Sequence, residues 1–262
     1  MIFRLVLFAA AIIVATGCET NPITGRQQLA LVPEDQIIQA SAQAYSEQMD
    51  EYRRKGALES NTPAVARVRR IAAGIVEQAQ RVRPETRQWN WQINVIDQPE
   101  VNAFAMAGGK IAVYQGLLDR VAPTDDELAQ VLAHEVGHAL SGHTREKMSV
   151  SLGTDLALAA FGAAQGASEA TMRALATGAQ LAIQLPNSRR MESEADRIGL
   201  ELAARAGYNP NAAVSLWQKM ARLKGGGGPP EILSTHPSDE TRLNDLRELV
   251  PRMMPYYESA RR

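Results

Sequence analysis

The sequence predicts an α+β fold, predominantly helical, with one small β-sheet. Three observations predict it. Aromatic residues make up only 5% of the chain while Ala and Gly are plentiful, which favours close-packed helices over an all-β core. Strand signals cluster between Trp89 and Tyr114. From Thr124 onward, helical spacing of apolar residues prevails.

The 262 residues are enough for one sizeable domain or two small ones. Lys plus Arg number 28 and Asp plus Glu 29, a net charge of −1, so no basic surplus points to nucleic acid as a partner. The chain divides into a leader (1–17), an N-terminal arm (18–32) and a main domain (33–262). Met1 to Arg4 is a weakly basic start, and the apolar run Leu5 to Ala15 after it is too short for a comfortable membrane span. Ala15-Thr16-Gly17-Cys18 then resembles the bacterial lipobox, with Ala15 where that pattern usually has Leu. On this reading Cys18 is lipidated and anchors the chain to a membrane without a spanning helix. The plainer alternative is an ordinary signal peptide with a chance cysteine. By resemblance to enterobacterial sorting, Glu19 after the cysteine implies the periplasmic face of the outer membrane, inner-membrane anchoring staying open. With one cysteine in the chain, no internal disulfide can form.

The arm carries the turn signals Asn21-Pro22 and Thr24-Gly25. A helix is predicted from Pro33 to about Lys55 and a second from Thr62 to about Val82, opened by Pro63 at its first helical position. Trp89 to Ile96 alternates strictly, as a half-buried strand does. Phe104-Ala105-Met106 and Ile111 to Tyr114 read as two short strands joined at Gly108-Gly109. Thr124-Asp125-Asp126-Glu127 has the form of a capping box and opens a helix ending near Gly142. Residues 148–187 are helical in character and form a lid candidate or a surface helix pair. Asp155, Glu169 and Arg173 break any membrane span there. Further helices are predicted from Ser188 to Ala206 before Gly207, from Pro210 through Trp217, and from Ser238 to about Leu249. Between the last two, 225–237 reads as a flexible loop, four glycines followed by two prolines.

The chemistry sits in His134-Glu135-Val136-Gly137-His138. Residues four apart on a helix differ by about 40° around its axis, so both imidazoles can reach one metal ion. Glu135 projects beside them, where its carboxylate can take a proton from water. A hydrolytic site needs a third protein ligand and an open position. Glu192 and Asp196, four apart on a later helix, offer it: one can bind metal while the other accepts the N–H of a ligating histidine. Glu194 points to a different side. His143 lies five after His138, beyond Gly142, and reads as structural.

HEVGH followed by an E-x-E-A-D helix resembles the zinc metallopeptidases that include the CAAX prenyl proteases, HtpX, the mitochondrial Oma-type enzymes and periplasmic BepA and LoiP. Asn21 to Arg26, Val101 to Ala105, Gly108 to Ile111, Ser188-Arg189, Gly207 to Pro210 and Ser234 to Pro237 with Arg242 agree with it. The resemblance covers about residues 19–250 and is closest to lipoprotein or periplasmic members without a repeat domain. It implies a gluzincin-like zincin fold with the small sheet beside the HExxH helix. It implies one zinc ion on His134, His138 and Glu192, with Glu135 as base and Asp196 as supporting residue. It places His236 beside the metal, stabilising the oxyanion or taking the open coordination position, with Arg242 holding that loop or a nearby carboxylate. Asn102, Ala103 and Phe104 then edge the cleft as a strand able to bind extended peptide. The implied substrates are unfolded or misassembled envelope proteins, cleaved in quality control. Two rivals stay open: a chaperone-like lipoprotein with a closed zinc site, and a zinc amidase acting on peptidoglycan. No oligomeric state follows from the sequence.

Overall fold

A short polar hairpin, β1 (Cys18–Thr20) and β2 (Gln27–Leu29), opens the described chain and pairs antiparallel. This is a computed structural model, describing residues 17–59, 62–165, 185–223 and 240–262, with Ser168, Glu169, Thr171, Arg173, Ile232, Ser234 and His236. The leader, except Gly17, most of the lid candidate beyond residue 165, and the 225–237 loop, except Ile232, Ser234 and His236, lie outside these residues.

α1 (Glu34–Arg54) follows Pro33, with Glu34 and Asp35 in its first turn and Arg53 and Arg54 in its last, complementing the helix dipole. β3 (Leu58–Glu59) leads to α2 (Pro63–Val82), where the Thr62 hydroxyl accepts the Val65 amide at 3.2 Å. β4 (Gln92–Ile96), β5 (Ala103–Met106) and β6 (Lys110–Tyr114) complete a four-stranded sheet in the order β3-β4-β6-β5. β4 runs parallel to β6, and β5 pairs antiparallel with β6, Ala105 opposite Ile111, leaving β5 at an edge.

The sheet departs from the expected strand at Trp89 to Trp91. The Trp91 indole donates to the Thr86 carbonyl at 2.9 Å, closing a 3₁₀ turn (Pro84–Gln88), so pairing starts only at Gln92. β4 is also not half-buried at its end: Val95 and Ile96 are both covered. The reason is that both sheet faces are packed. Ile96, Ala112 and Tyr114 lie with Tyr45 and Met49 of α1, while Val95, Ile111 and Val113 join α2 and the central helix.

That central helix, α4 (Asp125–Leu140), follows the short α3 (Gln115–Arg120). Its capping box forms as expected: Glu127 N–H donates to the Thr124 hydroxyl at 3.2 Å, and the Thr124 amide donates to the Glu127 carboxylate at 2.8 Å. From Glu127 to Leu140 every residue is buried. Fully buried leucines such as Leu128 and Leu132 are worth about 1.5–3 kcal/mol each. α5 (His143–Gln165), α6 (Leu185–Arg205), α7 (Ala212–Arg222) and α8 (Glu240–Ala260) follow, with α6 packed on α4 and α8 on α6. Among the described residues no helix is long and apolar enough to cross a membrane.

Helix bounds differ from expectation at α6, which starts at Leu185 rather than Ser188, and at α7 and α8. α7 starts at Ala212, because Pro210 and Asn211 are spent on the turn that precedes it. α8 runs past Leu249 through Pro251 and Pro255 to Ala260, with Val250 and Met253 buried against the rest of the core. Their burial offsets the hydrogen bonds that two prolines remove.

Glu127 also meets Lys219 Nζ at 2.6 Å and the Ser215 hydroxyl at 2.7 Å. Burial alone would raise its pKa, but bonds from Lys219, the Thr124 amide and Ser215 outweigh burial and hold the carboxyl below the ordinary range. A depressed carboxyl contributes stability above its unfolded pKa, about 4.3, and loses it as pH falls through the folded value. Glu127→Gln is therefore expected to flatten the fall in Tm below about pH 4.3. An unchanged Tm profile in acid would remove Glu127 from this role.

Candidate active site

α4 presents His134 and His138 on one face, their Nε2 atoms 3.1 Å apart. From α6, Glu192 places Oε2 3.3 Å from His134 Nε2 and Oε1 3.3 Å from His138 Nε2. His236 adds Nδ1, 3.2 Å from His134 Nε2 and 3.0 Å from Glu192 Oε2. One donor atom from each of these four buried residues lies within 4.8 Å of the others.

Imidazole lone pairs cannot face one another so closely unless a proton or a cation stands between them. Donors around a tetrahedral ion at 2.0–2.1 Å are about 3.3 Å apart, close to the separations found here. Three imidazoles and one carboxylate also match the ligand preference of borderline first-row metals. The residues therefore fit a metal ion.

Asp196, one turn beyond Glu192, reaches the far side of the first histidine: Oδ1 is 2.9 Å from His134 Nδ1. Accepting that N–H leaves the Nε2 lone pair of His134 aimed at the metal position. Arg242 grips Asp196 through two bonds of 2.7 Å, lies 3.1 Å from Glu192 Oε2, and stacks 3.9 Å over the Trp217 ring. Burial raises the Asp196 carboxyl, but Arg242 and His134 hold it below its ordinary value. Burial acts likewise on Glu192, and its bonds to His134, His138 and His236 carry it well below the carboxylate range. Burial pushes His134 down, yet Asp196 and Glu192 bring it up to about 9, whereas His138 is driven well below the ordinary histidine value by its burial. A metal ion entering this site displaces a proton. Asp196→Asn is expected to weaken metal binding by about tenfold, the low end for losing such a supporting group. Competition against a chromophoric chelator measures it, and unaltered affinity would contradict the role.

Glu135 is buried beside this cluster. Its Oε2 accepts the Ala105 amide of β5 at 3.3 Å, while Oε1 makes no hydrogen bond among the described residues and stands 3.4 Å from His236 Nε2. A carboxylate with one oxygen held and the other free is arranged to take up a proton.

Comparison with known proteins accords with this geometry. The model of peptidase family M48 matches residues 65–250. The chain belongs to peptidase family M48. It is similar to the mitochondrial metalloendopeptidase OMA1 of Bos taurus, 33% identical over 254 residues, 93% of this chain and 48% of that protein. It is also similar to the metalloprotease LoiP of Escherichia coli, 33% identical over 150 residues, 57% of this chain and 58% of the relative. The beta-barrel assembly-enhancing protease of Escherichia coli is 34% identical over 170 residues, 62% of this chain and 34% of the relative. The chain thus spans about half the length, or less, of curated relatives it matches.

Of the residues singled out in this M48 sequence, His134, Glu135, His138, Glu192, Asp196, His236 and Arg242 come together in one buried centre. The cleft-edge residues do so less directly. Asn102 and Ala103 are buried, and Phe104 packs edge-on against Tyr45; the strand meets the centre at Ala105 instead. Cys18 is exposed on β1. His143 is more than a packing residue, since its Nδ1 lies 2.8 Å from His138 Nδ1. Glu194 does point away from the four donors, but it ends on His143, 3.1 Å from Nε2. The one available signal was Gly142, which stops the helix and frees the next residue to turn back.

Proposed function

We propose that this protein is a zinc-dependent metalloendopeptidase of the bacterial cell envelope, anchored through a lipid on Cys18 at the periplasmic face of the outer membrane. Its substrates are misfolded or misassembled envelope proteins, and the reaction is hydrolysis of their peptide bonds. The observation that carries the reading is Glu135, whose Oε1, without a hydrogen bond among the described residues, sits beside four buried donor atoms. A closed structural metal site has no use for such a base.

His134, His138 and Glu192 would hold zinc, which would supply Lewis acidity toward a scissile carbonyl and water. Glu135 takes the proton of the attacking water at Oε1 while the Ala105 amide steadies Oε2. It returns that proton to the leaving nitrogen as the C–N bond breaks. His236 turns Nδ1 toward the other donors, so Nδ1 is the atom that would donate to a developing oxyanion there. A water-sized cavity beside Glu135, lined by His134, Asp196 and His236 on one side and by Leu216, Trp217 and Met220 on the other, has room for the attacking water but for no substrate side chain.

The envelope setting is supported by the exposed Cys18 and by similarity to a beta-barrel assembly-enhancing protease. Removing metal with 1,10-phenanthroline should abolish casein cleavage, and added zinc should restore it. Parallel incubation with unfolded envelope proteins and with purified peptidoglycan separates a peptidase from an amidase; cleavage of peptidoglycan alone would overturn the proposal.

A second reading has its own observation. With His236 among the donors, the fourth position is closed, as in a zinc-stabilised scaffold with little proteolysis. His236→Ala distinguishes the two. Lost cleavage with zinc retained supports oxyanion assistance, whereas loss of zinc and of folding together supports the scaffold.

A further inference from the structure

We infer that the N-terminal arm is part of the metal centre: Arg26 holds Glu194, Glu194 sets the tautomer of His143, and His143 turns the Nε2 lone pair of His138 toward the metal. The inference rests on the metal-binding reading above.

Neutral imidazole carries one N–H and one lone pair. His138 has Nε2 among the metal donors, so a bound ion requires its lone pair there and its proton on Nδ1. The atom facing Nδ1 at 2.8 Å is Nδ1 of His143, which must then accept. That requirement leaves the His143 proton on Nε2, where Glu194 Oε2 receives it at 3.1 Å. The chain of bonds is consistent in one direction only. Were His143 protonated at Nδ1, His138 would present N–H to the metal position instead of a lone pair.

Glu194 is fixed from a distance of 168 residues. Arg26 donates to it through Nε at 2.6 Å and Nη2 at 3.1 Å, and to Glu146 through Nη1 at 2.7 Å and Nη2 at 2.5 Å. Glu146 and His143 are 2% and 1% exposed, so the network lies inside the protein although one end belongs to the arm. The arm is itself tied to the end of α4: Asn21 Nδ2 donates to the Ser141 carbonyl at 2.7 Å and to Gln28 Oε1 at 2.9 Å. Gly142, at φ +63°, makes the reversal that brings His143 back under His138. His134 has a carboxylate directly on Nδ1, from Asp196. His138 receives the equivalent support through one intervening imidazole.

The test measures zinc affinity, by competition with a chromophoric chelator, for the full chain and for His143→Ala, Glu194→Gln, Arg26→Ala and the pair Arg26→Ala with His143→Ala. Val68→Ala, a core change on α2 away from the network, controls for general destabilisation. His143→Ala should bind zinc roughly 10–100-fold more weakly. Glu194→Gln and Arg26→Ala should weaken it in the same direction by less, and Val68→Ala should lower Tm with zinc affinity unchanged. Because Arg26 acts through His143, the double variant should be no weaker than His143→Ala alone. If His143→Ala does not fold, the near-isosteric Glu194→Gln decides. Long-range ¹H–¹⁵N spectra of the zinc-loaded wild type should show the His143 proton on Nε2. Unchanged affinity in Glu194→Gln, additive loss in the double variant, or a His143 proton on Nδ1 would overturn the inference. A wild type that binds no zinc in the same titration fails separately, and takes the metal reading with it.

Discussion

Glu135→Gln should lower peptide turnover by about 10²–10⁴-fold, the contribution of a general base, and leave one zinc ion per chain in place. The substitution keeps the size of the side chain and an atom able to accept the Ala105 amide. It removes the carboxylate oxygen that, among the described residues, makes no hydrogen bond. His134, His138 and Glu192 are untouched, so metal content and Tm should match the wild type. Turnover of a quenched peptide and zinc by atomic absorption are measured on the same preparation. Undiminished cleavage would take Glu135 out of the reaction, and lost zinc would show that it acts on the metal site.

Gly199→Ala should destabilise the protein by about 3 kcal/mol, the upper range for overpacking a close-packed core. A Cβ at this position of α6 would lie 2.8 Å from His134 N, 2.9 Å from His134 Cα and 2.9 Å from the Ala133 carbonyl carbon. These are backbone atoms of a fully buried helix, which cannot swing aside as a side-chain tip can. Gly137 makes the reciprocal approach from α4, where a Cβ would stand 2.9 Å from the Ala195 carbonyl oxygen. The two glycines let the helices touch at the level of the metal ligands. Forcing them apart moves Glu192 and Asp196 away from His134, so zinc affinity should fall together with Tm, the latter by roughly 6–12 °C. A Tm within 1 °C of wild type would mean that α4 and α6 do not approach so closely.

Much of the site could be read in the chain because its parts follow helical spacing. His134 and His138 share a face by periodicity, as do Glu192 and Asp196, and Thr124 with Glu127 marks where the first of these helices begins. Periodicity says nothing about contacts between elements. Arg26 and Glu194 are 168 residues apart, and Asn21 and Ser141 are 120 apart; no local rule links them. The contact of His143 with His138 was illegible for the same reason, since a residue just past a helix end has no set direction until a neighbour supplies one. At α8 the local rule was overruled: Pro251 and Pro255 signal a stop, but the burial of Val250 and Met253 continues the helix.

The chain has four histidines, and all of them meet at the HEVGH helix. The sequence alone determined which donor groups share a helix: two imidazoles and a carboxylate on one, and a carboxylate pair on another. Those are properties of side-chain type and of 3.6-residue spacing, and they survive without a neighbour. Only the tertiary structure decided how the donors converge, by the glycine contact between α4 and α6, the guanidinium of Arg242 and the arm that reaches His138 through His143. Convergence depends on distances between elements far apart in the chain, and those distances exist only once the core has packed.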